Sequence, residues 1–193
     1  VIVSETHRFV FVSTPKCGTN TMYTLLPQLY KHNLQVPPLY HGRFVPDEYK
    51  GFFVFSIVRN PYARAVSLWY STTANPDNRC YCRKVLGTTD FTVFLRHLLT
   101  RPRELVRRSL DHNQSDWLAP VRLDTVLRLE TLADGLRRLP FWPADWDGNL
   151  PRLNASGGCP PWRSLMTPER IELIHRWAGH DFRRFRFRRI DPV

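Results

Sequence analysis

Two short apolar runs stand out along the chain. Phe9 to Ser13 and Phe52-Phe-Val-Phe-Ser-Ile-Val58 carry no charge, and the second is bounded by Gly51 and by Arg59-Asn60-Pro61. Runs that are apolar on both faces predict strands of a parallel sheet covered on both sides. Thr125-Val-Leu-Arg-Leu129 predicts a third strand. Between the strands the period lengthens to that of a helix. Gly18 to Tyr30 sets Met22, Leu25, Leu26 and Leu29 on one face. A second helix runs from Pro61 to Tyr70, with the proline at a first helical position. Phe91 to Leu99 predicts a helix capped by Asp90, and Thr131 to Leu139 a short one. Thr167-Pro-Glu opens the last helix: Thr167 caps it, Pro168 sits in the first turn, and Glu169 meets the positive end. Its apolar face is Ile171, Ile174, Trp177 and Ala178. Segments 31–49, 71–88 and 140–165 show no period, and 101–118 is charge-rich and partly helical. The alternation of strand and helix predicts an α/β domain, and 193 residues suit one domain spanning 1–193.

Charge changes the picture next. The net charge is +11, with arginine supplying almost all of the surplus, which favours anionic ligands. Cysteine changes it less. Cys80 and Cys82 lie one residue apart, too close for an ordinary zinc pair, and either could pair with Cys159. No apolar stretch is long enough to span a bilayer and no signal peptide is visible, which predicts a cytoplasmic protein. A Golgi-lumenal domain with a removed anchor is the alternative.

Two strand-to-helix junctions carry candidate chemistry. After the first strand comes Thr14-Pro-Lys-Cys-Gly-Thr-Asn-Thr21. A helix start offers unpaired N–H groups and a positive dipole end, so an anion at Gly18–Thr21 would satisfy both. Lys16 adds a charge, and Thr19, Asn20 and Thr21 add side-chain donors. No Lys-Ser/Thr pair follows the glycine, unlike a nucleotide-triphosphatase loop. After the second strand, Arg59 stands at the usual ligand edge of an open α/β sheet. Arg64 and Ser67, three apart, share a helix face, and an arginine fork with a hydroxyl clamps a phosphate well.

Together these motifs resemble those of the PAPS-dependent sulfotransferases, PAPS being 3′-phosphoadenosine 5′-phosphosulfate. Pro15-Lys16-Cys17-Gly18-Thr19, followed by Leu25-Leu26, is similar to their 5′-phosphosulfate loop. Arg59-Asn60-Pro61, with Arg64, Ser67 and Tyr70, is similar to their 3′-phosphate element. Asn113-Gln114 through Trp117, Asp124 to Glu130 and Leu132 resemble the middle of the carbohydrate-type branch. Leu153 to Ser156, Leu165 to Glu169 and His180-Asp181-Phe182 resemble its C-terminal part. The resemblance implies a P-loop-like central parallel sheet flanked by helices, and sulfuryl transfer from PAPS without a metal. It implies that Lys16 touches the 5′-phosphate and the oxygen bridging to sulfur, and that Cys17, Gly18, Thr19, Asn20 and Thr21 wrap that phosphate. Arg59 and Ser67 would bind the 3′-phosphate, Trp162 would stack on the adenine, and Arg163 would stand in for an Arg-Lys-Gly tripeptide that this chain lacks. The arginines at 183–189 are the other candidates for that last role.

The implied reaction is in-line attack by an acceptor hydroxyl, with charge building on the leaving phosphate oxygen beside Lys16. His41, between the two motifs, is the expected base; Asp47 and Glu48 are runners-up, and His112 is weaker. Some relatives place a second histidine two residues on, where this chain has Arg43. The expected acceptor is a hydroxyl of a glycan or glycoconjugate, and nucleic acid is not the expected partner. Two other readings stay open. One is a P-loop small-molecule kinase. The other is a non-catalytic nucleic-acid-binding domain, suggested by the interleaved arginines and phenylalanines of Arg183 to Arg189.

Overall fold

The computed structural model describes residues 1–31, 34, 44–74, 86–100, 112–151 and 158–192. The chain forms two units: Val1–Arg59 with Asp116–Asn154, and Asn60–Ser115 with Ala155–Val193. The chain passes from the first to the second twice, so neither unit is a continuous segment.

The first unit holds the sheet. Four strands, β1 (Ile2–Ser4), β2 (Phe9–Val12), β3 (Phe53–Val58) and β4 (Thr125–Arg128), lie in the order β1-β2-β3-β4. β2, β3 and β4 are parallel, with Val12 opposite Ser56 and Val58 opposite Arg128. β1 is antiparallel to β2 and was not expected from the sequence: three residues are too few to show a period. A tight turn with Arg8 at φ 51° returns it to β2. The apolar runs behave as the pattern predicts, since every residue of β2 is buried. Phe9, Phe11, Phe55, Ile57 and Leu127 form one core with Met22, Leu25, Leu26 and Tyr30 of helix α1 (Thr19–Tyr30). The alternate residues Val10, Val12, Val54 and Val58 are buried as well. The fold is therefore α/β, with a mostly parallel sheet flanked by helices.

The second unit is helical. It contains α2 (Pro61–Trp69), α3 (Phe91–Thr100), α6 (Pro168–Trp177) and α7 (Gly179–Arg184). The division between units cuts the short α4 (Gln114–Trp117), and α5 (Leu132–Arg137) belongs to the first unit. Two caps stand where the sequence put them: Asp90 accepts from Val93 N–H, and Thr167 accepts from Arg170 N–H. The structure adds a third, the Asn60 side chain, which accepts from Tyr62 and Ala63 N–H ahead of Pro61. The last helix breaks at Ala178, giving α6 and α7. Asp181 of α7 is fully buried and accepts from Gln114 N–H (3.0 Å), the Gln114 amide (3.1 Å) and Ser115 N–H (2.7 Å). Among the described residues, no helix is long and apolar enough to cross a membrane.

Candidate active site

The loop between β2 and α1 is built from its supports outward. Ser56 is the one polar side chain of β3. Its hydroxyl donates to Val12 O at 2.7 Å, which leaves Thr14 as the donor in the 2.9 Å contact between their hydroxyls. The Trp117 indole N–H donates to Ser13 O at 3.1 Å. Thr14 O then accepts both Cys17 N–H and the Thr19 hydroxyl, each at 3.2 Å. These bonds close a tight turn directly after a buried strand.

Two residues of that turn are left-handed: Lys16 at φ 66° and Gly18 at φ 81°. Alternating left-handed residues turn successive N–H groups toward one side, the backbone device of anion-binding nests. Lysine accepts this region only at a cost of about 1–2 kcal/mol. Arg59, which follows β3, holds the strained residue by donating from Nη1 to Lys16 O at 3.5 Å. Helix α1 opens on Gly18 with no side-chain cap among the described residues and no carboxylate in its first turn. Asn20 is exposed and Lys16 half-buried, whereas Cys17 is buried with its thiol directed to Pro15 O. The Thr21 hydroxyl donates to Pro151 O at 3.3 Å. The Thr19 and Thr21 hydroxyls are thus engaged by carbonyls, and the main-chain N–H groups of the helix start are the donors that an anion there would meet.

Lys16 and Arg59 thus meet at the C-terminal edge of adjacent parallel strands, where ligands bind in open α/β sheets. A family model described as the sulfotransferase family matches residues 1–136. The chain belongs to the sulfotransferase family. No match was found among curated proteins or solved structures.

His41 and Arg43 lie outside the described residues, as do Cys80 and Cys82. Asp47 and Glu48 begin a 3₁₀ turn, where Asp47 pairs with Lys50 at 3.0 Å. Ser67 is nearly buried in α2, within the second unit. Arg64 of the same helix is fully buried, donating to His112 O at 2.9 Å with its guanidinium 5.2 Å from the Trp177 ring centroid. Trp162 stacks on Tyr62, with centroids 5.3 Å apart and planes 12° apart, and the exposed Arg163 reaches over the Trp162 ring. The Tyr62 hydroxyl accepts from Ile190 N–H and shares a 2.5 Å hydrogen bond with His175 Nε2. Burial raises the Tyr62 pKa and lowers that of His175.

Sequence reasoning missed Ser56, Trp117 and Leu129 as supports of the loop. Ser56 had a readable signal, being a lone hydroxyl in an apolar strand. Leu129 had none: its side chain lies where a Cβ on Gly18 would come within 2.8 Å, a contact set only by the fold.

Proposed function

We infer that the protein moves a sulfuryl group from PAPS to a hydroxyl acceptor, a carbohydrate. The observation that carries the reading is the left-handed Lys16 held through its carbonyl by Arg59, at an uncapped helix start, in a chain of this family. In this reading the turn from Lys16 to Thr21 receives the 5′-phosphosulfate and Arg59 receives the 3′-phosphate. The acceptor oxygen bonds to sulfur as the bond from sulfur to the phosphate oxygen breaks, releasing adenosine 3′,5′-bisphosphate. Lys16 neutralises charge on that leaving oxygen, and His41 takes the hydroxyl proton. The roles of His41, Ser67, Trp162 and Arg163 come from motif resemblance alone.

A transfer assay with radiolabelled PAPS tests the reading against glycan, phenol and lipid acceptors. The expected outcome is label on a glycan, with turnover cut by His41→Ala while affinity for adenosine 3′,5′-bisphosphate stays near the parent value. Transfer by His41→Ala at the parent rate would remove histidine as the base. Label on phenols or lipids alone would remove the carbohydrate acceptor.

A further inference from the structure

Beside α1, the first unit carries an open groove of about 560 Å³, a size that suits a small ligand. Leu25, Leu29, Pro143, Pro151 and Trp146 give it an apolar floor, and Gln28, Asp145, Asp147 and Asn149 give it a polar rim. The half-buried Trp146 is held in place. Trp142 meets it edge-on at 5.3 Å, and the Arg137 guanidinium lies 5.3 Å from its ring centroid. Gly148, at φ 87°, lets the loop pass so close that a Cβ there would come within 2.1 Å of Arg137 Nη2. The Asp147 carboxylate accepts from Asn149 N–H at 2.8 Å, which fixes the rim. Asp145 and Asn149 are exposed.

We propose that this groove binds a neutral saccharide unit, which on the preceding reading is the non-reacting part of the acceptor. The chemistry selects this occupant. A pyranose offers an apolar C–H face to an indole ring and vicinal hydroxyls to carboxylates and amides, which accept and donate in pairs. Two rim carboxylates repel a sulfated or uronic unit, even on a chain whose net charge is +11. The position agrees: Thr21, in the first turn of α1, donates to the carbonyl of Pro151, a groove residue. Along α1 the groove residues Leu25 to Leu29 lie seven to eleven residues beyond Gly18, about 10 to 16 Å along the helix. A saccharide seated here lies clear of the Lys16 turn, so only an acceptor longer than one sugar unit would reach both.

Saturation-transfer NMR and titration with a neutral N-acetyllactosamine tetrasaccharide, with a heparin tetrasaccharide as contrast, test the proposal. Adenosine 3′,5′-bisphosphate is titrated into the same samples as a separate check of the donor reading. The neutral tetrasaccharide should bind the parent protein and Lys16→Ala equally. Trp146→Ala and the exposed Asp145→Lys should each weaken it about tenfold. Asp145→Lys should also leave nucleotide affinity and the melting temperature unchanged. Absence of neutral saccharide binding, or binding indifferent to both substitutions, would overturn the groove assignment whatever the nucleotide does. Groove-dependent saccharide binding without nucleotide binding would keep the groove and discard the donor reading.

Discussion

At the scale of single residues, the site depends on an unfavourable backbone conformation. Lys16 would relax if replaced by glycine, which populates the left-handed region at no steric cost. Lys16→Gly is therefore expected to melt at or above the parent temperature while transfer falls at least about a hundredfold, the loss typical of one transition-state donor. Calorimetry beside the radiolabel assay checks both halves. A parallel loss of stability and activity would make Lys16 a packing residue. Gly18→Ala should behave oppositely. Its φ of 81° and the Leu129 methyl 2.8 Å from the new Cβ should cost about 1–2 kcal/mol or more in urea unfolding. The residue types of the turn were legible in the sequence, but their dihedrals were not. A lysine at positive φ follows from Arg59 and Thr14 closing the turn around it, and both bonds need β2 and β3 side by side.

At the scale of elements, caps and apolar faces were readable because they are local. Asp90 and Thr167 mark helix starts by side chains that reach only three residues on, and Pro61 marks one by its fixed φ. β1 and the α6–α7 break were not readable, because each is decided by what packs on it. The Asp181 lock is likewise non-local, joining two segments that are far apart in sequence. Asp181→Ala leaves two buried main-chain N–H groups without their acceptor and should cost about 3 kcal/mol, measured by chemical denaturation. His175 adds a pH dependence. Burial first, then Arg189, lowers its pKa below the ordinary 6.5 in the folded protein. The unfolded chain then binds the extra proton, so this contribution is full above about pH 6.5 and shrinks as pH falls toward the folded value. His175→Gln, which keeps a polar partner for the Tyr62 hydroxyl without a titrating group, should flatten that part of the stability profile. An unchanged slope in urea midpoints between pH 7.5 and 5.5 would contradict it.

At the scale of the whole molecule, the places of Lys16 and Arg59 were legible because each charge follows an apolar strand, a pattern fixed by short-range sequence. The Trp146 groove was illegible, since it gathers residues from α1 and from a stretch without period. The central claim is that Lys16 and Arg59 grip one doubly phosphorylated adenosine. Its most direct measurement is calorimetric titration of adenosine 3′,5′-bisphosphate, against adenosine 5′-monophosphate, into the parent protein and Arg59→Ala. The account predicts that the bisphosphate binds the parent protein about tenfold or more tighter than the monophosphate, without magnesium, and that Arg59→Ala erases the difference. Equal affinity of the parent protein for the two nucleotides, or a preference that survives Arg59→Ala, would contradict it.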